Sequence, residues 1–278
     1  MNKWIHPLLL VSCMCSTLAY AQTKDSASAV QLHAGITYLS QFTYGGRRDT
    51  TSMPYWMPSL TLTSKPGFFL SVLAYLHADK QRKSWEGMSL TPGYVWHPFK
   101  QFAIVLSYSQ YWMDTSQATL LSALKGIGDI NFMHTVPHFE TSLETSYVIS
   151  RDTHDWLNQL QIGVPFTLLH QPVIILKPVV ALDAGTQTFY KTYYTKTLQQ
   201  SSLVPDLPLQ EISQQQQKAV KSYQLLSVEL HVPLSVKFSR WEASCTPYWI
   251  LPTHTPGFTH RESASYFFFT AQLMYHFQ

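Results

Sequence analysis

Charge is scarce in this chain. Asp, Glu, Lys and Arg make up 13% of its 278 residues, and the formal net charge is only +3. There is no dense Lys/Arg stripe, so the electrostatic footprint of a nucleic-acid binder is missing. Cysteine is scarcer still, with 3 residues, and two of them, Cys13 and Cys15, fall near the start. Cys245 alone cannot close an internal disulfide or build a cysteine metal cluster. None of the 12 histidines belongs to an H-E-x-x-H or H-x-H arrangement, which removes the usual local metal signatures. Beyond the start there is also no apolar run of about 18 or more residues, so no helix of the sequence is suited to crossing a bilayer.

Hydrophobic residues, by contrast, make up 45% of the chain and aromatics 14%, with 15 Phe, 16 Tyr and 8 Trp. A soluble β-sandwich carries such a load, and so does a wall with rings at two membrane interfaces. Patterning separates the two. In the last thirteen residues, Phe267, Phe269, Ala271, Leu273, Tyr275 and Phe277 share one parity. Phe268, Thr270, Gln272, Met274 and His276 share the other. A period of 2 with one continuous apolar face is a strand, and its length suits a tilted strand crossing a bilayer. This closing stretch, with an aromatic one residue from the end, resembles the last strand of bacterial outer-membrane β-barrels. The segment Gly126-Ile127-Gly128-Asp129-Ile130 resembles a strand opening that recurs in them.

The same alternation predicts strands over 30–44, 55–64, 68–78, 86–97, 102–113, 127–136, 139–149, 156–168, 173–185, 222–238, 241–251 and 266–278. In the first, Phe42 and Tyr44 join Val30 and Ile36 on the apolar face; in the tenth, Leu226 joins Val228 and Leu230. Turn signals such as Lys65-Pro66-Gly67 follow strands two, four, six, eight and ten. Longer polar connections follow the odd-numbered strands. Short surface helices are predicted over 208–221 and 116–125. About twelve strands with alternating short and long connections match the barrel plan. The expected fold is therefore all-β: a transmembrane antiparallel up-and-down β-barrel with short periplasmic turns and longer extracellular loops.

Residues 1–21 read as an export signal, with Lys3, an apolar stretch and Ala19-Tyr20-Ala21 as the cleavage site. Leu10-Val11-Ser12-Cys13 resembles a lipobox and is the competing reading. Residues 22–29 form a polar lead, and 30–278 a single barrel domain. The few residues before the first strand leave no room for a plug domain of the energy-coupled receptor kind.

Aromatics sort by depth on the apolar faces. Phe68, Trp96, Phe102, Phe139, Phe166, Trp241 and Phe277 lie at the turn end. Tyr44, Trp56, Trp112, Tyr147, Trp249 and Phe267 lie at the loop end. Trp56, Trp96, Phe102, Trp112, Phe139, Tyr147, Trp241, Trp249 and Phe277 are the expected aromatic girdles. Cys245 falls on a lipid-facing parity, as does His134. The opposite faces are rich in Ser, Thr, Gln and Gly. Their ionisable members include His33, His77, Glu140, Glu144, Lys177, Asp183, Glu229 and His231, with His97 and His276. These are the expected lumen lining, either a pore wall that tunes passage or a hydrogen-bonded filling that holds the barrel's shape.

The resemblance implies a Gram-negative cell outer membrane, with membrane lipid, lipopolysaccharide and, through the C-terminal strand, the barrel-assembly machinery as partners. It implies no cofactor and no metal. Arg47, Arg48, Lys80, Arg82 and Lys83 are either lipopolysaccharide-phosphate ligands or solvated loop charges. The leading function is a small passive pore or transport-related barrel. A closed-lumen structural or loop-binding barrel, working through residues 186–221 above all, is the alternative. A lipid-modifying enzyme ranks third, because no histidine is followed two positions on by Ser, the pair that outer-membrane lipases and deacylases carry. No catalytic residue is assigned.

Overall fold

The computed structural model describes residues 29–48, 53–78, 84–114, 121–151, 153–186, 188, 223–253 and 264–277. The export signal, most of the polar lead and the helix expected over 208–221 lie outside the described residues. Twelve wall strands follow in chain order. They are β1 (Val30–Leu39), β2 (Tyr55–Ser64), β3 (Phe68–His77), β4 (Trp85–Phe99), β5 (Phe102–Met113) and β6 (Leu124–Thr135). Then come β7 (Glu140–Ser150), β8 (His154–Gly163 continuing as Phe166–His170), β9 (Val173–Leu176 continuing as Val179–Gly185), β10 (Gln224–His231 continuing as Leu234–Phe238), β11 (Trp241–Pro252) and β12 (Tyr266–His276). Each strand pairs antiparallel with its sequence neighbour. β12 then pairs with β1, from His33↔His276 to Leu39↔Thr270, and closes the cylinder. Closure leaves no sheet edge, as a wall in lipid requires, because no water is there to satisfy an open ladder.

Sidedness follows the alternation. Leu60, Leu70, Leu106, Leu143, Leu160, Leu182 and Leu230 are exposed on the outer wall. Ser71, Ser89, Ser109, Asn131, Gln159, Ser227 and Thr246 are buried on the inner one. This inverts the soluble-protein rule that large apolar side chains go inside. It excludes a sandwich whose dry centre is built from those leucines.

The structure corrects the expected strands in four places. β1 stops at Leu39 rather than running to residue 44. Ser40 ends it by donating its N–H to the Phe269 carbonyl and accepting the Phe269 N–H at Oγ. The chain then turns inward, so Phe42 and Tyr44 are not on the outer wall. Thr43–Tyr44 and Arg47–Arg48 instead form a hairpin around Gly45-Gly46. Both glycines have positive φ, 53° and 72°, the geometry of a two-residue hairpin turn.

Leu226 also faces inward. The β9–β10 register shifts between Asp183 and Ala184, with Asp183↔Ser227 followed by Ala184↔Leu225. Leu226 is the extra residue of this bulge, 1% exposed, while Leu225 takes the outer face.

β6 begins at Leu124, preceded by a 3₁₀ turn at Leu121–Ala123 where the tail of a helix was expected. Finally, the connection after β7 spans only residues 151–153, as short as a turn. Ser150 donates both its N–H and its hydroxyl to the Thr153 carbonyl, each at 2.9 Å, and tightens it.

The interruptions in β8, β9 and β10 fall at Pro165, Pro178 and Pro233, at the height of Pro247 in β11. Proline has no N–H to give the ladder. Each residue before a break still donates across to the next strand's proline: Val164 to Pro178 (3.0 Å), Lys177 to Pro233 (2.9 Å) and Val232 to Pro247 (3.2 Å). The lost donors are thereby gathered into one row of the wall, and the strands continue in direction on either side.

Candidate functional site: a polar bore under an apolar cap

The inner wall has three levels. At the turn end, a chain of side chains spans the closure seam. His33 Nδ1 lies 2.7 Å from His276 Nδ1, one ring donating to the other. His33 Nε2 is 3.2 Å from Thr63 Oγ1, and His276 Nε2 is 3.4 Å from Glu242 Oε2. Four strands, β2, β1, β12 and β11, are linked in this way. Along β12 the inner residues Thr270, Gln272, Met274 and His276 are only half-buried, whereas Tyr266 and Phe268 at the loop end are buried. On this strand the inner face is thus more accessible toward the turn end.

On the facing wall, Lys177 Nζ donates to Glu140 Oε2 at 2.9 Å, both side chains less than a tenth exposed. The pair joins β7 to β9 across β8. The intervening inner residue is Gly163, opposite Glu140. A Cβ there would lie 3.4 Å from Lys177 Cγ and Cδ and 3.0 Å from Val179 Cγ2. Glycine is what lets the lysine stem pass.

The middle level is a hydrogen-bonded polar belt. Ser146 donates to Asp129 at 2.6 Å, and Asn131 Nδ2 to Glu144 at 3.2 Å. Gln159 Nε2 and Ser227 Oγ hold the two oxygens of Asp183 at 2.7 and 2.6 Å. Thr61 with Ser71, and Thr91 with Ser109, continue the belt at 2.8 Å each. Most polar groups of this level have partners, as burial demands.

Above it lies an apolar cap; alternation placed Tyr75, Tyr111 and Phe268 inward, but not their cluster with the first loop. Leu39, Met57, Leu73, Tyr75, Tyr111, Ile127, Val148, Leu157, Leu226, Ile250 and Phe268 turn inward at the loop end and cluster with Phe42 and Met53 from the first loop. The Gly45-Gly46 hairpin reaches across the bore from β1 to β8 and β10. A Cβ on Gly45 would lie 3.5 Å from Leu226 Cδ1 and 3.6 Å from Leu157 Cδ2. One on Gly46 would lie only 2.5 Å from Ser227 Cβ, and closer still to its Oγ. Arg48, at the hairpin's far end, stacks 5.6 Å from the Tyr266 ring centre. Between hairpin and wall is a cavity of about 20 Å³, room for roughly one water. Phe42, Tyr44, Tyr75 and Tyr111 line it together with Asp129, Glu144 and Ser146.

Most residues expected in the lumen are on the inner wall, but His97 is exposed where the β4–β5 register breaks between Trp96 and Phe99, and His276 is half-buried. His33, His77, Glu140, Glu144, Lys177, Asp183, Glu229 and His231 are all buried. The structure brings Glu140 to Lys177, Glu144 to the Asp129–Asn131 group, and Glu229 to Asp183. His77 sits near the loop end, 3.0 Å from Glu86. Sequence reading missed Glu86, Asp129 and Asp155 as buried inner-wall acids; parity marked Asp129 and Asp155, whereas Glu86 has the parity of Met88 and Leu90 and is turned inward by a bulge opposite Tyr75 and Leu76. Trp56, Trp96, Trp112, Phe139, Trp241, Trp249 and Phe277 project from the outer wall, with Phe102 and Tyr147 half-buried beside them. Trp156, not among the expected girdle residues, packs 4.9 Å from Tyr147 there. Cys245 is exposed on the same surface. Among the described residues, no three of His, Cys, Asp and Glu are grouped to hold a metal ion.

An apolar outer wall around a closed antiparallel cylinder with a polar interior decides the class. The chain folds as a transmembrane antiparallel β-barrel. Comparison with solved structures agrees at the level of fold. A structure described as "KdgM porin" superposes with a TM-score of 0.51 at 10% identity, covering 88% of this chain and 99% of that one. "KdgM porin in complex with disordered oligogalacturonate" gives 0.46 at 11% identity, covering 90% and 99%. A "NanC porin" gives 0.45 at 7%, covering 89% and 99%. No family model and none of the curated proteins matches this barrel.

Proposed function

We propose that this barrel is a small passive pore whose polar bore opens toward the periplasm and is capped at its outer mouth by its own first loop. One observation carries the reading. The hairpin at Gly45-Gly46 crosses the bore and packs on Leu157, Leu226 and Ser227, over a belt of Ser, Thr, Gln, Asp and Glu. A wall that served only as scaffold would have no need of so polar an interior, since buried polar groups add little net stability over a packed apolar centre. The aromatic rings on the outer wall suit the two membrane interfaces, and membrane lipid and lipopolysaccharide are the partners such a surface would meet.

A second reading, a closed barrel acting through its loops, is favoured by the filling of the bore: Ala181, Ser227, Glu86 and Ile250 are fully buried. Planar-bilayer recording separates the two. Wild-type protein is compared with a Phe42→Ser, Tyr44→Ser variant, in which the hairpin loses its apolar anchors. The pore reading expects rare or small steps from the wild type and frequent, larger ones from the variant. Silence from both, with the variant still folded, overturns the pore and leaves the closed barrel.

A further inference from the structure

We infer that the bore passes small cations, inorganic or ammonium, in preference to anions; this rests on the pore reading above. The inner wall is one-sided in charge. Lys177 is the one buried base, apart from histidine, among the described residues, and it is engaged with Glu140 at 2.9 Å. Beyond that pair, the buried acids are Glu86, Asp129, Glu144, Asp155, Asp183 and Glu229, one on each of β4, β6, β7, β8, β9 and β10; Asp183 and Glu229 are hydrogen-bonded to each other and so share a proton, carrying at most one negative charge between them. Glu242 and Lys237, directly paired at the turn end, add one charge of each sign. None of the twelve wall strands contains an arginine. Carboxylates spread around half the circumference at low dielectric repel an anion through the middle and loop-end levels of the bore.

Two further observations point to a cationic occupant. Asn131 Oδ1 and Thr246 Oγ1, on residues 4% and 1% exposed, have no hydrogen-bond partner in the protein. Asn131 already donates its Nδ2 to Glu144, so the free atom is a carbonyl acceptor beside a carboxylate. That combination is completed by a donor or a cation, and an anion would worsen it. In the small cavity under the hairpin, the rings of Phe42, Tyr44, Tyr75 and Tyr111 meet Asp129 and Glu144. Ring faces carry negative charge density and favour cations, most strongly where water is excluded.

The test is the reversal potential in a KCl gradient across a planar bilayer, with wild-type barrel and with the Phe42→Ser, Tyr44→Ser variant. The inference expects a displacement toward the potassium equilibrium potential. It also expects Asp129→Asn and Glu144→Gln, each retaining an acceptor oxygen, to move the value back toward zero in the same background. Reversal at zero, or displaced toward chloride, overturns the cation preference while the pore stands. Failure of both proteins to conduct removes the pore itself.

Discussion

Gly46→Ala is the sharpest way to ask whether the first loop closes the bore. The backbone there has φ +72°, and a side chain in that region costs about 1–2 kcal/mol. The new Cβ would also lie 2.5 Å from Ser227 Cβ, an overlap whose relief costs roughly 1–3 kcal/mol. Together these come to about 2–5 kcal/mol against the seated hairpin. The seat is held chiefly by Phe42 and Met53, 3% and 5% exposed, which contribute roughly 3–6 kcal/mol at the usual value for a buried large side chain. The two quantities are of the same size, so the substitution should raise the open population by roughly thirty- to several-thousand-fold. Gly45→Ala supplies the control. Its φ is +53° but its Cβ has ordinary contacts at 3.5 Å, so only the backbone cost of about 1–2 kcal/mol applies. Open probability in single-channel records should rank Gly46→Ala above Gly45→Ala, and both above wild type. Heat-modifiable gel mobility would show that the barrel itself is intact. An intact Gly46→Ala barrel that conducts no more than wild type, or less than Gly45→Ala, refutes the assignment of the hairpin as the cap.

Lys177→Ala leaves Glu140 buried without its lysine and should destabilise the barrel by about 3–5 kcal/mol in urea unfolding; adding Glu140→Gln should recover much of the loss. A Lys177→Ala protein as stable as wild type would show that water, and not the ion pair, satisfies that carboxylate. On the outer wall, Leu160→Arg, flanked by Leu143 and Leu182, should cost roughly 2–4 kcal/mol, against about 0–1 kcal/mol for Phe267→Arg near the interface. Equal costs at the two positions in lipid refolding titrations would contradict the depth assigned to them.

The misreadings share a cause. Phe42 and Tyr44 keep the parity of β1 in sequence, yet the ladder stops at Ser40 because Phe269 of β12, far away in the chain, takes its hydrogen bonds. Leu226 looks like an outer-wall leucine until the β9 partner shows the bulge that rotates it. The prolines at 165, 178, 233 and 247 are visible as letters, but their alignment into one row exists only once four strands are in register. Asp129 and Asp155 were legible by parity, whereas Glu86 was not, because a bulge in β4 turns it inward; nor was it legible what they meet: Glu86 finds His77, and Asp129 finds Ser107 and Ser146.

By itself, the sequence determined the wall: a period of 2 sustained over twelve segments admits one greasy and one polar face, and closure follows because lipid tolerates no open edge. It determined which residues face inward along most strands, since parity is a local property. What stops the bore was decided only in three dimensions. The seat of the first loop is built from β8 and β10, more than a hundred residues along the chain, and a contact between such distant segments leaves no periodic trace in either of them.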